Sequence, residues 1–283
     1  MAHIKNLNMC LNNVKIIDIN FAHAKYTTDY QISKFINWDR SRNISQEEIL
    51  FITDNSLNNS VNIVNNNKIG MLMEPRAINP AIYEWVSSNH GHFKNVLTYD
   101  KNLLDSCSNA LFYPHCGCWI KEEDQSIYDK TKLLSIIASD KRQTEGHRLR
   151  HASIDVLRAN NIGLDAYGRG YNPIDYKLES LKDYAFSLII ENSRSDYYFT
   201  EKLMDSFVTG TVPIYWGCPS IGDFFNLDGM IIFNDVEDLL SKLNLLSLEQ
   251  YNNMLPAITE NFEKAKEFLI AEDWIYKNTK IFK

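Results

Sequence analysis

Residues 186–217 carry Phe186-Ser187-Leu188-Ile189-Ile190-Glu191-Asn192-Ser193, a loop from Arg194 to Phe199, then Thr200-Glu201-Lys202-Leu203, and finally Gly210-Thr211-Val212-Pro213-Ile214-Tyr215-Trp216-Gly217. The two apolar runs are too short for helices and are bounded by turn formers, so they read as buried strands. Thr200 is a helix cap, and the order becomes strand, loop, helix, strand, a unit that closes into a parallel sheet. Glu191 and Asn192 stand where the first strand gives out at its carboxyl end, the place where open α/β sheets bind ligands. Free amides in the first turn after Thr200, together with the ammonium of Lys202, suit an anion such as a pyrophosphate. The Glu201 carboxylate can accept hydrogen bonds from paired ribose hydroxyls.

The same alternation extends outward. Short apolar runs recur at 49–53, 68–73, 95–99 and 110–113, and again at 133–138, 164–168 and 230–233. Helical spacing falls between them at 80–88, 144–159, 178–184, 201–209 and 236–243. The pattern predicts an α/β protein with a doubly wound parallel sheet in its second half. Its 283 residues suffice for two lobes. Lys121-Glu122-Glu123-Asp124-Gln125 is a charged, non-periodic connector. It separates an N-terminal α/β lobe (1–125) from a C-terminal one (126–255), with 256–283 as terminal helices that could pack back on the first lobe. The cleft between lobes is the expected ligand site. Asparagine crowds into 55–67, which reads as loop.

Composition narrows the function. Hydrophobic residues at 45% and charged residues at 23% fit a soluble globular chain and exclude wholesale disorder. A net charge of −7 argues against a nucleic-acid partner while leaving room for a local basic site. Cys10, Cys107, Cys116, Cys118 and Cys218 follow no repeated spacing, so reduced thiols are expected. His115-Cys116-Gly117-Cys118 lacks a second ligand pair, and no metal is expected there. Residues 8–19 are too polar for a signal peptide, and no run approaches the ~20 apolar residues of a membrane span. A cytoplasmic protein is the expectation. Nucleophile elbows, Walker loops and zincin motifs are absent. Gly168-Arg169-Gly170 follows a strand, but Tyr171-Asn172-Pro173 blocks the helix a dinucleotide site needs, so it reads as a turn.

Glu191-Asn192-Ser193, the seven-residue gap, Thr200-Glu201-Lys202 and Val212 to Gly217 together resemble the donor-binding signature of family 10 glycosyltransferases, the α-1,3/1,4-fucosyltransferases. The resemblance is specific over 135–225 and weaker upstream. It implies the two-lobed GT-B fold with the donor site in the C-terminal lobe and cleft. It also implies a GDP-sugar co-substrate, GDP-fucose in characterised members, and an inverting transfer to a glycan hydroxyl with no cofactor and no essential metal. By position, Lys202 is similar to the family lysine on the donor phosphates and Glu201 to its neighbour on the ribose. Asn192 and Tyr198 match the remaining donor-loop contacts. Arg150 resembles the arginine that pairs with the pyrophosphate, with Arg148 as its competitor. A planar guanidinium can engage two phosphate oxygens at once.

Inverting transfer needs a general base on the acceptor side. Met73-Glu74-Pro75-Arg76 resembles the family's glutamate before a proline, which makes Glu74 the candidate, with His90 and His92 as alternatives. Thr98-Tyr99-Asp100 and Tyr113-Pro114 loosely resemble other family segments. Unlike the animal enzymes, the chain is expected to lack an anchor and stem. This points to a cytoplasmic enzyme, open to peripheral association with a lipid-linked acceptor. Two other readings remain open: a transferase of the same fold using a different nucleotide sugar, and a non-catalytic GDP- or glycan-binding module.

Overall fold

The computed structural model describes residues 11–17, 32–41, 43–115 and 117–282, so Cys10 and Cys116 lie outside it. The chain forms two compact units. Unit 1 comprises the residues up to Tyr113 together with those from Ile270 onward, and unit 2 spans Pro114–Leu269. The division thus falls ahead of the charged connector expected at 121–125. That connector folds as a short 3-10 turn, Glu122–Asp124, within unit 2.

Unit 1 is built on a parallel sheet of β1 (Leu11–Ile17), β2 (Ile36–Asp39), β3 (Leu50–Thr53), β4 (Lys68–Met71), β5 (Asn95–Thr98) and β6 (Ala110–Phe112), in the order β2-β1-β3-β4-β5-β6. Helices α1 (Pro80–Asn89) and α2 (Lys101–Ser106) connect its later strands, with Pro80 in the first turn of α1, where a missing N–H costs nothing. The sequence pattern did not disclose β1 or β2. Lys15 interrupts the apolar run, yet it is buried because its ammonium meets Asp39, its register partner on β2, and Ser41 Oγ at 2.6 Å. The asparagine-rich stretch forms 3-10 turns at Asp54–Ser56 and Asn58–Ser60.

Unit 2 repeats the arrangement with β7 (Lys132–Ile137), β8 (Asp165–Tyr167), β9 (Tyr184–Ile190), β10 (Val212–Trp216) and β11 (Ile231–Ile232), ordered β11-β10-β9-β7-β8 and parallel throughout. All seven residues of β9 are buried, which is why it reads as an unbroken apolar run. The hydroxyl of Ser187 within it is satisfied: Ser187 Oγ donates to Ser135 O at 3.2 Å, and Ser135 Oγ donates to Ser180 O at 2.7 Å. Ile136, Ile154, Leu157, Leu188, Ile190 and Ile214 form the centre of the core, each contributing roughly 1.5–3 kcal/mol through burial. The connecting helices are α3 (Glu145–Ala159), α4 (Glu201–Phe207) and α5 (Val236–Leu243).

The expected helix at 178–184 is instead a 3-10 turn, Lys177–Ser180, that leads into β9. Leu178, Leu181 and Tyr184 recur every three residues, a spacing that a tight turn followed by a strand satisfies as well as an α-helix does. At the C-terminus, α6 (Leu248–Asn253) and α7 (Leu255–Ala265, with Pro256 in its first turn) belong to unit 2. Only α8 (Ala271–Asn278) joins unit 1. There Asp273 Oδ1 accepts from Ser33 Oγ (2.7 Å) and Lys34 N (3.0 Å), and Glu272 Oε1 accepts from Trp38 Nε1 (2.6 Å). The terminal segment is therefore divided between the units. Among the described residues no helix is long and apolar enough to cross a membrane.

Gly168 ends β8 with a φ of +102°, and a Cβ there would sit 2.3 Å from the Ala138 carbonyl oxygen. Gly163 has open space around its Cα. Gly168→Ala should destabilise by about 1–3 kcal/mol and lower the thermal midpoint by several degrees. Gly163→Ala should shift stability by no more than about 0.5 kcal/mol. Thermal unfolding of both variants checks the pair, and equal midpoints would contradict the assigned strain.

Candidate active site

In the strand order of unit 2, connections diverge to either side between β7 and β9, and sheets of this kind bind ligands outside the carboxyl ends at that point. A cavity of about 400 Å³ lies there. Ile137, Ser139 and Lys141 line it from β7 and the loop beyond, and Leu188 to Ile190 and Asn192 line it from β9. Helix α3 contributes His147 and Arg150, and α4 contributes Glu201, Lys202 and Asp205. Trp119 and Lys177 complete the polar wall.

The cavity depends on a close approach between α3 and β9. A Cβ on Gly146 would fall 1.7 Å from the Glu191 carbonyl oxygen, so only glycine lets the first turn of α3 reach the strand end, where Gly146 N donates to Asn192 O at 3.1 Å. This fixes Arg150 one turn later. Arg150 is buried; its Nε donates to Ile190 O at 3.0 Å, and its Nη2 donates to the same oxygen and to Asn192 Oδ1 at 3.1 Å. Burial pulls its pKa below the ordinary arginine value while Glu191, Tyr198 and Glu201 pull it back, and a guanidinium stays charged under either influence. Arg148 lies on the exposed side of α3, donating to Arg142 O and Gln143 O. Between the two arginines, Arg150 is the one in the cavity.

Glu191 organises the opposite wall. Its side chain is fully buried; Oε1 accepts from Thr200 N at 2.9 Å, and Oε2 accepts from Thr200 Oγ1 at 2.8 Å and Lys202 Nζ at 3.3 Å. The carboxylate thus closes the loop between β9 and α4 and tethers Lys202, whose ammonium also reaches Thr200 Oγ1 (2.9 Å) and Glu201 Oε1 (3.3 Å). Helix α4 spans only seven residues, so side-chain cations rather than a long helix dipole supply the positive field. Lys177 pairs with Asp205 at 2.8 Å and Glu201 at 3.8 Å and lies 5.0 Å from the Trp119 ring centroid. Burial works against its charge, yet Asp205 and Glu201 hold its pKa above the usual lysine value.

His147 is the histidine of the cavity wall. Thr144 caps α3 by accepting from His147 N, and Thr144 N–H donates back to His147 Nδ1 at 3.3 Å. With Nδ1 accepting, the ring proton sits on Nε2. Burial, reinforced by the charges of Arg150, Lys141 and Lys202, holds its pKa down at about 4.

Of the residues singled out by sequence, the structure brings Arg150, Asn192, Glu201 and Lys202 to one cavity. Tyr198 is buried in the loop between β9 and α4, with its ring centroid 6.5 Å from that of His115, and it is not among the lining residues. Glu74 belongs to unit 1. It is half-buried beyond β4, its N–H donating to Asp54 Oδ1 at 3.2 Å and its carbonyl accepting from Tyr83 Oη at 2.7 Å. His90 and His92 form an incompletely buried 3-10 turn, with His90 Nδ1 2.7 Å from Asn109 Oδ1. Cys118 is buried, which pushes its thiol pKa well up, and among the described residues no cluster of three His, Cys, Asp or Glu forms a metal-binding group. Sequence reading missed His147, Lys177, Asp205 and Trp119. Thr144-x-x-His147 is the local signal for the first, a reciprocal cap; the other three converge only in three dimensions.

Residues 127–255 match the family described as Glycosyltransferase family 10 (fucosyltransferase) C-term. A Helicobacter pylori protein described as alpha-(1,3)-fucosyltransferase FucT is 39% identical over 158 residues. These cover 51% of this chain and 31% of the relative's own length. Among solved structures, an alpha1,3-fucosyltransferase crystallised with GDP-fucose aligns over 90% of this chain and 87% of its own, with a TM-score of 0.56 and 18% identity. TarM aligns over 84% of this chain and 56% of its own, with a TM-score of 0.55 and 13% identity. Both likenesses establish the fold: two Rossmann-like lobes of the GT-B type.

A histidine kept neutral by the fold binds fewer protons than in the unfolded chain between about pH 4 and its ordinary value of 6.5. Its contribution to stability is therefore present above that window and declines as the pH falls across it. The His147 ring resonances should stay in the neutral, Nε2-protonated form from about pH 5.5 upward. An NMR titration with a midpoint near the ordinary value of 6.5 would refute this.

Proposed function

We propose that unit 2 binds a guanosine diphosphate sugar, GDP-fucose, and that the chain transfers the sugar to a glycan hydroxyl with inversion and without a metal. The supporting observation is the convergence of Arg150 and Lys202 on one cavity at the switch point of the sheet, with Glu201 beside them. A departing diphosphate is the charge that most needs offsetting, and fixed cations in a partly dry site do so without reorganising. Arg150 has Nε and Nη2 committed to Ile190 O and Asn192 Oδ1, an arrangement that leaves Nη1 for the ligand. Glu201, placed between Lys202 and Lys177, takes the ribose hydroxyls. His147 adds a neutral Nε2–H donor.

In the reaction the acceptor oxygen attacks the anomeric carbon from the face opposite the diphosphate. The bond from that carbon to the diphosphate oxygen breaks, its electron pair leaves with GDP, and the acceptor proton passes to the base. We assign that base to Glu74, whose backbone is held on both sides by Asp54 and Tyr83.

Calorimetric titration with GDP and GDP-fucose in EDTA, with UDP as control, tests the donor assignment. Micromolar guanine-nucleotide binding without metal is expected, and its absence would overturn the reading. Lys202→Ala and Arg150→Ala should each lower turnover by about 10²–10³-fold, whereas Arg148→Ala should stay within about twofold. Glu74→Gln should abolish transfer while GDP binding persists. GDP binding by the wild-type chain with no transfer to any acceptor in a glycan panel would identify a binding module instead.

A further inference from the structure

Three of the cations facing the cavity, Arg150, Lys177 and Lys202, are already held by protein oxygens. Lys202 has three N–H donors and three oxygens in reach: Thr200 Oγ1 at 2.9 Å, Glu191 Oε2 at 3.3 Å and Glu201 Oε1 at 3.3 Å. A phosphate oxygen must displace or share one of them. Glu191 cannot turn away, because its second oxygen is engaged by Thr200 N and a Cβ on Gly217 would fall 2.7 Å from its Cγ. With its side chain fully buried, it cannot be screened by water either. It is a fixed negative charge directly behind the ammonium that meets the diphosphate. Its influence also extends to Arg150.

We propose that Glu191 is a positioning residue that holds Lys202 in place and sets the release of the nucleoside diphosphate product. The inference rests on the donor reading above. A sugar-linked diphosphate carries two negative charges. Once the sugar has left, the terminal phosphate ionises again with a pKa of about 6, so the product carries nearly three at neutral pH. A buried carboxylate behind the shared ammonium therefore penalises product more than substrate. The cations Lys141, Arg150, Lys177 and Lys202 line this wall against the carboxylates Glu191, Glu201 and Asp205, a balance that attracts a diphosphate without locking it in.

The test compares affinities for GDP and GDP-fucose by calorimetry, with kcat and the first-turnover burst, in wild type, E191Q and T200V at about pH 7.5, where the terminal phosphate of the product is ionised. The amide oxygen introduced by E191Q can still accept from Thr200 N but carries no charge. E191Q should bind GDP about tenfold more tightly, GDP-fucose by about threefold or less, and show a product burst followed by a lower kcat. T200V loses the hydroxyl but keeps the charge, and should shift both ligands equally. Equal or weaker GDP binding by E191Q, or GDP-selective tightening by T200V, overturns the proposal in favour of simple loop closure. Should E191Q not fold, K202Q and E191Q/K202Q replace it, since removing a buried pair together is better tolerated than removing one partner. The double variant should then bind GDP about tenfold more tightly than K202Q, and no difference overturns the proposal. A wild-type chain that binds no guanine nucleotide defeats the donor reading and this inference with it. Wild-type binding with no selective E191Q effect defeats this inference alone.

Discussion

A carboxylate with no access to water sits at the end of an all-buried strand, and the candidate site is arranged around it. Isolating such a charge is prohibitive, so Glu191 has to collect donors. It collects Thr200 N, Thr200 Oγ1 and Lys202 Nζ, all from the far side of a loop whose closure brings α4 over the end of β9. The backbone at the same residue meets Gly146, which draws the start of α3 to within a distance no side chain would allow. One residue thus sets where both helices begin, and Arg150 and Lys202 take their positions from those starts. The cavity follows from satisfying a buried charge.

The two units apply one topological rule twice. In each, the strand order reverses between the first and third strands of the parallel sheet, as β2-β1-β3 in unit 1 and β8-β7-β9 in unit 2. Reversal leaves a gap beyond the carboxyl ends, because the connections leave to opposite faces. Unit 2 lines its gap with cations. In unit 1, Asp54 follows β3 with a φ of +38°, a strained conformation for a residue with a side chain, and commits its carboxylate to the N–H groups of Met73 and Glu74. Strain at that position is offset by fixing the segment that carries the proposed base.

Much of this was legible where local physics and tertiary need agree. The run 186–217 shows its strand, loop, helix and strand because burial on both faces leaves β9 and β10 almost wholly apolar. The sequence reading left Arg148 in competition with Arg150; in the folded α3, Arg150 shares a face with Ile154 and Leu157, and Arg148 does not. Legibility fails where a polar residue is buried against a distant partner. Lys15 hid β1 because Asp39 lies on another strand, and Lys177, Asp205 and Trp119 meet only once the chain has folded. The boundary at Tyr113 was hidden for a different reason, since a charged run resembles a linker even when, as with Asp124 accepting from Tyr176 Oη at 2.8 Å, it is tied into a unit.

The ion pairs around the cavity also explain why so many charges can stand together without destabilising the fold. Lys177 and Lys202 on the α4 side each have a carboxylate within 4 Å, whose attraction offsets the cost of desolvating them, and the site's polarity is fixed before any ligand arrives. Arg150 differs in being anchored by a backbone carbonyl and an amide oxygen, neutral acceptors that orient the guanidinium without cancelling its charge. The two walls thus do different work: an arginine of fixed direction on α3, and on α4 a lysine whose field is tempered by the acid beneath it. Orientation from one side and adjustable attraction from the other is an arrangement suited to a ligand that gains negative charge while bound and must then be released.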